Sequence, residues 1–150
     1  MNALQDPAMI ERLYEASQAG VKIDLIVRGI CCLSPGRKYS RNIRVTRIVD
    51  TFLEHARVWY FGNGGKPKLF LGSPDWMRRN LYRRIEAVTP ILDPDLKREL
   101  SDMLSIQLSD KRKACFVDDH LRNRWKSARP QKEKIRSQYT CLLYTSPSPR

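Results

Sequence analysis

Apolar and polar positions alternate between two periods along this chain, and the changes of period mark its elements. Asp6-Pro7 opens a helix, with Asp as N-cap and Pro at the first helical position, where its missing N–H leaves nothing unpaired. Ile10, Leu13, Tyr14 and Ser17 fall on one face, and Gly20 fits the left-handed position at the end of a helix. Val21–Arg28 is rich in β-branched residues, and its later part is continuously apolar, as in a strand covered on both faces. Residues 34–42 are a polar loop. Ile43–Asp50 reads as a strand and Thr51–Ala56 as a helical turn. Arg57–Phe61 and Lys68–Gly72, joined through Gly62-Asn63-Gly64-Gly65, read as a hairpin. Pro74–Tyr82 suits a short helix and Ile85–Leu92 a strand. Asp93-Pro94-Asp95 caps a long helix in which Leu96, Leu100, Leu104 and Leu108 recur every four residues, with Met103 beside them. Ala114–Val117 fits an edge strand, and after His120 the chain turns polar and basic. No internal repeat is present. Alternating strands and helices predict an α/β domain with a mixed β-sheet flanked by helices.

With 150 residues the chain is the size of one domain and can bury a core. No stretch is apolar enough to span a membrane, and Met1–Asp6 lacks the basic start and apolar run of a signal peptide. Cys31, Cys32, Cys115 and Cys141 contain no C-x-x-C pair and read as reduced thiols of a cytosolic protein. With two histidines in all, a zinc site is not expected.

The formal net charge is +12, from 28 basic and 16 acidic residues. The excess lies mostly beyond residue 110. A denser stretch, Arg37, Lys38, Arg41, Arg44 and Arg47, falls in a run without an acid between Asp24 and Asp50. Such a stretch is either a solvated surface or a seat for an anion such as a nucleotide, polyphosphate or nucleic acid. Arg28 closes the first strand, at the end where open α/β sheets bind ligands, and its five-donor fork suits phosphate oxygens. His55 precedes the hairpin, and histidine is the side chain whose free form titrates close to neutrality, at about 6.5, so it suits proton transfer. Trp59, Trp76 and Phe70 read as packing residues. Glu86 reads as the partner of a nearby arginine such as Arg83 or Arg84. The basic segment Arg122–Arg136, with Trp125 inside it, reads as a helix or extended arm packed on the rest of the protein.

His55-x-Arg57, then Asn63, then Gly72-Ser73-Pro74-Asp75, resembles the phospholipase-D pattern H-x-K, acid, G-S-x-N. Arg57 replaces the lysine and Gly62 stands at the place of the acid. A longer resemblance runs from Tyr14–Leu33 through Asn42–Val45, Phe52–His55, Tyr60–Gly65, Asp75–Leu81 and Arg83–Glu86. By these motifs residues 2–138 resemble the C-terminal domain of the long bacterial polyphosphate kinases. The resemblance implies a phospholipase-D-like fold and reversible transfer of the terminal phosphate of ATP to inorganic polyphosphate through a phosphohistidine. That histidine, and the arginines that hold Mg2+, would lie in an upstream domain, so the chain is expected to be truncated on its N-terminal side and inactive alone. No metal ligand is expected within it. Arg28 matches the family's arginine that contacts nucleotide phosphates, and His55 its second histidine, a proton donor or acceptor that also binds nucleotide. Arg37, Lys38, Arg41, Arg44 and Arg47 would line the path of the polymer. The implied partners are ATP or ADP, polyphosphate, the rest of the kinase chain and further copies of it. The implied location is the cytoplasm, with peripheral attachment to the inner membrane compatible. Residues 139–150 depart from the family, resemble translated read-through and are expected to be disordered. Two other readings stay open: a non-catalytic polyanion- or nucleic-acid-binding module, and a phospholipase-D-type phosphodiesterase.

Overall fold

The computed structural model describes residues 1–126 and 135–145. Helix α1 (Pro7–Gln18) starts where the Asp6 carboxylate accepts the Met9 N–H at 3.0 Å, with Pro7 in its first turn. Ile10 and Ser17 are buried on its inner face. Ser17 ties the helix to Asn42: its Oγ accepts the Asn42 N–H, and its carbonyl accepts Asn42 Nδ2 at 2.7 Å. Gly20 takes φ 91 at the turn after the helix, as its missing Cβ permits.

The architecture is the mixed α/β one expected, with its strands divided over two sheets. The first has the order β1 (Ile23–Ile26), β2 (Ile43–Ile48), β6 (Ala114–Val117) and β7 (Asn123–Trp125). Only β1 and β2 are parallel. The second is the antiparallel meander β3 (Val58–Phe61), β4 (Lys68–Gly72) and β5 (Val88–Ile91). Between β2 and β3 the chain leaves the first sheet through residues 49–57, which form no strand and no helical turn. Helix α2 (Arg78–Arg83) and the long α3 (Pro94–Ser109) complete the body. The Asp93 carboxylate caps α3 by accepting the N–H groups of Asp95 and Leu96.

Three further expectations are corrected. Ala114–Val117 is an interior strand, because β7 pairs outside it. The turn between them is built by the Asp118 carboxylate, which accepts the N–H groups of His120 and Arg122, and by Leu121 at φ 60. The first strand is shorter than Val21–Arg28, since Val21 and Lys22 are still exposed after the glycine turn. It is also only half-buried, so its apolar run marks a partly covered strand. Finally, Ser137–Thr145 is helix α4, so residues 139–145 are helical where disorder was expected, and 146–150 lie outside the described residues. Its first turn is held firmly: Asp110 accepts both the N–H and the hydroxyl of Ser137, and both residues are fully buried. Most of the predicted arm 122–136 lies outside the described residues; its first part supplies β7.

The core gathers Leu4, Ile10, Val27, Cys31, Leu33, Ile43, Val45 and Val117. Burying side chains of this size stabilises a fold by about 1.5–3 kcal/mol each, before entropy is counted. Leu4, which has no exposed surface, lies in an extended segment, residues 2–5, between two parts of the chain. On one side Gly29 N–H donates to Asn2 O and Leu4 N–H to Ile30 O; on the other Gln5 N–H donates to Trp76 O and Trp76 N–H to Ala3 O. This segment brings residue 28, just past β1, and residue 75, just past β4, to the same place.

Candidate functional site

That junction holds a continuous chain of polar side chains. Arg28 donates from Nε and Nη2 to Asn2 Oδ1, at 2.9 and 2.6 Å. The Asn2 backbone N–H donates to Asp75 Oδ1 at 2.8 Å, joined there by the Ala3 N–H at 3.0 Å. Arg57 grips the same carboxylate with both arms, Nη2 to Oδ2 at 2.8 Å and Nε to Oδ1 at 3.3 Å. Its Nη1 and Nη2 then lie 2.9 and 3.0 Å from Nδ1 and Nε2 of His55, and Nη1 donates to the His55 carbonyl. A neutral imidazole offers one acceptor nitrogen, so only one of the two ring contacts is a hydrogen bond. The structure therefore links Arg28 and His55 through Asn2, Asp75 and Arg57.

Electrostatics explains why the chain holds. The Arg57 and Asp75 side chains are 11% and 4% exposed, and a buried pair persists only if its remaining polar atoms are satisfied. Here both carboxylate oxygens are used. Burial alone would raise the Asp75 carboxyl, but the Arg57 guanidinium and the Ala3 and Asn2 N–H groups outweigh it and hold it below the usual carboxylate range. The local sequence supplies the geometry. Gly72 ends β4 where an added Cβ would come within 2.8 Å of the Ala87 carbonyl and of the Trp59 ring, so glycine there lets the chain turn inward to Asp75. Trp59 and Trp76 stack beside it, ring centres 6.5 Å apart, as packing residues should.

Asp75 and Asn2 are members of this chain to which the sequence assigned no role. Asp75 stands at the last position of Gly72-Ser73-Pro74-Asp75 and the first of Asp75–Leu81, motifs that give it a place but no partner. Asn2 leaves none, since nothing in the sequence pairs it with a residue twenty-six positions on. Glu86 is also corrected: its carboxylate accepts Asn80 Nδ2 at 2.7 Å and the Ser73 hydroxyl, not an arginine. These two hydrogen bonds lower its pKa.

The five basic residues do not form one surface. Arg44 and Arg47 are three apart on β2, so they project from opposite faces. Arg47 lies on the core side, donating to Gly29 O at 2.7 Å and to Asn123 Oδ1 at 2.9 Å. It thus braces the backbone next to Arg28. Arg44 is on the outer face, paired with Asp24 at 2.7 Å. Arg37 is held by Asp119. Lys38 and Arg41 are exposed and carry no ion pair among the described residues.

Cys31, Cys32 and Cys115 are free thiols, and Cys31 and Cys115 are pushed up in pKa by burial. Among the described residues no three His, Cys, Asp or Glu side chains gather as metal ligands, and no helix is long and apolar enough to cross a membrane.

The fold and sequence have close counterparts. The family described as polyphosphate kinase C-terminal domain 2 matches residues 1–138. A polyphosphate kinase from Synechocystis is 57% identical over 115 residues, covering 76% of this chain and 16% of that protein. One from Prochlorococcus marinus is 48% identical over 139 residues, covering 92% and 20%. The crystal structure of polyphosphate kinase from Porphyromonas gingivalis superposes with a TM-score of 0.92 at 56% identity, over 96% of this chain and 22% of that one. The chain thus spans about a fifth of the relatives it matches. A likeness that runs through β1, the hairpin and α3 alike, at such identity, leaves one assignment: the chain belongs to the polyphosphate kinase C-terminal domain family.

Proposed function

We propose that this chain is the part of a polyphosphate kinase that presents Arg28 and His55 to the phosphate in transit, in the reversible transfer of the terminal phosphate of ATP to inorganic polyphosphate. In the first half-reaction, a P–N bond to a histidine outside this chain forms as the P–O bond to ADP breaks. In the second, that P–N bond breaks as the terminal oxygen of the polymer bonds to phosphorus. Such transfers need alignment and cationic charge more than covalent help. Arg28 commits Nε and one N–H of Nη2 to Asn2, which leaves the Nη1 side of its fork to face phosphate oxygens. His55 gives a proton to the departing oxygen, or takes one from the arriving group. Steps assigned to this chain run through these two side chains; Mg2+ is assigned to another domain of the longer enzyme.

The observation that carries this reading is the side-chain relay from Arg28 to His55, which fixes two functional groups far apart in sequence against one buried ion pair. The phosphodiesterase alternative asks for a carboxylate free to exchange a proton, whereas Asp75 is committed to Arg57 and to two backbone N–H groups.

In a full-length enzyme carrying this domain, Arg28→Ala is expected to lower the rate of polymer synthesis by about a hundredfold or more, as loss of a positioned charge donor does. His55→Ala is expected to act on the same step with a changed pH profile of kcat. Wild-type rates in either variant, with the fold intact, would refute the assignment. The 150-residue chain alone is expected to take no label from γ-phosphate-labelled ATP.

A further inference from the structure

The outer face of the four-stranded sheet carries a second cationic site, away from the relay. Register places Asp24, Arg44, Thr46, Phe116 and Arg124 on that face. Where the end of α3 meets it, Arg44, Lys111 and Lys126 line a cavity of about 210 Å³ with Phe116 and Leu108. Among the described residues no carboxylate lines it. Phe116 forms its floor, with Lys126 Nζ 4.9 Å and Arg44 Cζ 5.9 Å from the ring centre, close enough for the ring face to hold both cations.

The donors are only partly used. Lys126 gives one N–H to the Leu108 carbonyl at 2.9 Å and keeps two. Arg44 gives Nε to Asp24 at 2.7 Å and keeps the outer end of its fork. Lys111 has no ion pair among the described residues. The nearby acids are already engaged, Asp24 by Arg44 and Asp118 by Arg122, Arg124 and backbone N–H groups. Burial, and then the neighbouring Arg44, lower the pKa of Lys126 against the opposing pull of Asp110 and Asp24.

We propose that this cavity is an anchoring site for a linear polyphosphate chain, separate from the transfer site and built to hold the polymer rather than to react with it. The identity of the anion rests on the proposed function; the existence of the site does not. Phosphates along such a chain are spaced closely enough for one to enter the cavity while a neighbour meets Arg124 on the same face. A site of this kind would keep a growing polymer attached between transfers.

The test is calorimetric titration of the 150-residue chain with medium-length polyphosphate at several salt concentrations, with folding checked by far-UV circular dichroism. Lys111→Gln/Lys126→Gln is expected to weaken binding by about tenfold or more and to reduce the salt slope by about 2, one for each lost phosphate contact. Lys111→Arg/Lys126→Arg should retain binding. The control Lys66→Gln/Lys68→Gln removes the same charge from the exposed hairpin and should leave affinity within about twofold if the effect is local rather than general. Equal losses in the cavity and hairpin variants would overturn the site. So would duplex DNA competing as well as polyphosphate at equal phosphate concentration, which would mark a general polyanion surface. In the full-length enzyme the cavity double variant should raise KM for long polymer while leaving kcat unchanged. A fall in kcat with unchanged KM would reject anchoring, whereas polymer binding by an unmutated full-length enzyme that shows no kinase activity would reject only the proposed function.

Discussion

The relay between Arg28 and His55 and the outer face around Phe116 are built from the same residue types at nearly the same distances. Arg57 meets Asp75 at 2.8 Å and Arg44 meets Asp24 at 2.7 Å. Their surroundings make them opposites. Arg57 and Asp75 are almost without solvent contact, whereas the Arg44 and Asp24 side chains are 61% and 37% exposed. In the first place removing either partner strands a charge in a dry site; in the second, water and salt take over at once. Separation between oppositely charged atoms therefore says little about what a pair contributes. The accessibility of its atoms, and how many other donors they serve, says more.

That contrast can be broken most forcefully at Asp75. Asp75→Ala leaves Arg57 uncompensated and two backbone N–H groups without their acceptor, and is expected to destabilise the fold by about 3–5 kcal/mol, read as a lower midpoint in thermal unfolding. A loss below about 1 kcal/mol, the range of exposed pairs, would erase the distinction. Next in size is Leu4→Ala, which empties a fully buried site in the segment that assembles the relay. About 2–5 kcal/mol is expected from denaturant unfolding.

Titration sharpens the comparison further. The Asp75 carboxyl is held below its ordinary value in the folded protein, so its contribution is complete above the unfolded value near 4 and drains away as pH falls through the lower folded value. Wild-type protein is therefore expected to lose more stability between about pH 7 and about pH 3 than Asp75→Asn does, measured by urea unfolding. Equal losses would show that the carboxylate is not engaged as described. The smallest effect is expected at the exposed pair. Arg44→Gln should change stability by no more than about 1 kcal/mol and less at high salt.

Local signals made much of the fold readable. The Asp6-Pro7 and Asp93-Pro94 starts, the glycine turn of the hairpin and the β-branched core of β2 each carry their instruction within a few residues, and each element forms where expected. The division into two sheets was not readable, because it depends on residues 49–57 leaving the first sheet under the hold of distant partners. Arg136 fixes Asp50 at 2.6 and 2.7 Å, and Gln138 brackets Phe52 by accepting its N–H and donating to its carbonyl. The leucine stripe of α3 announced a helix correctly, yet none of its residues is buried in this chain, since periodicity specifies an apolar face and not what covers it. At the site, Arg28 and His55 could be named from motif context. Asn2 and Asp75 could not be tied to them, because the tie is a product of the segment crossing between residues 29–32 and 75–76.

The bracket around Phe52 has a consequence for where this domain can be trimmed. A chain cut after Arg136 would lose the amide that occupies both backbone groups of Phe52, three positions ahead of the imidazole, and with it the buried serine that seats the last helix on Asp110. The stretch leading to that imidazole would then be moored by Arg136 at Asp50 and Thr51 and by Gln107 at Glu54. Proteolytic clipping just before Ser137 should register first as quicker amide exchange at Phe52, well before any change in the sheets.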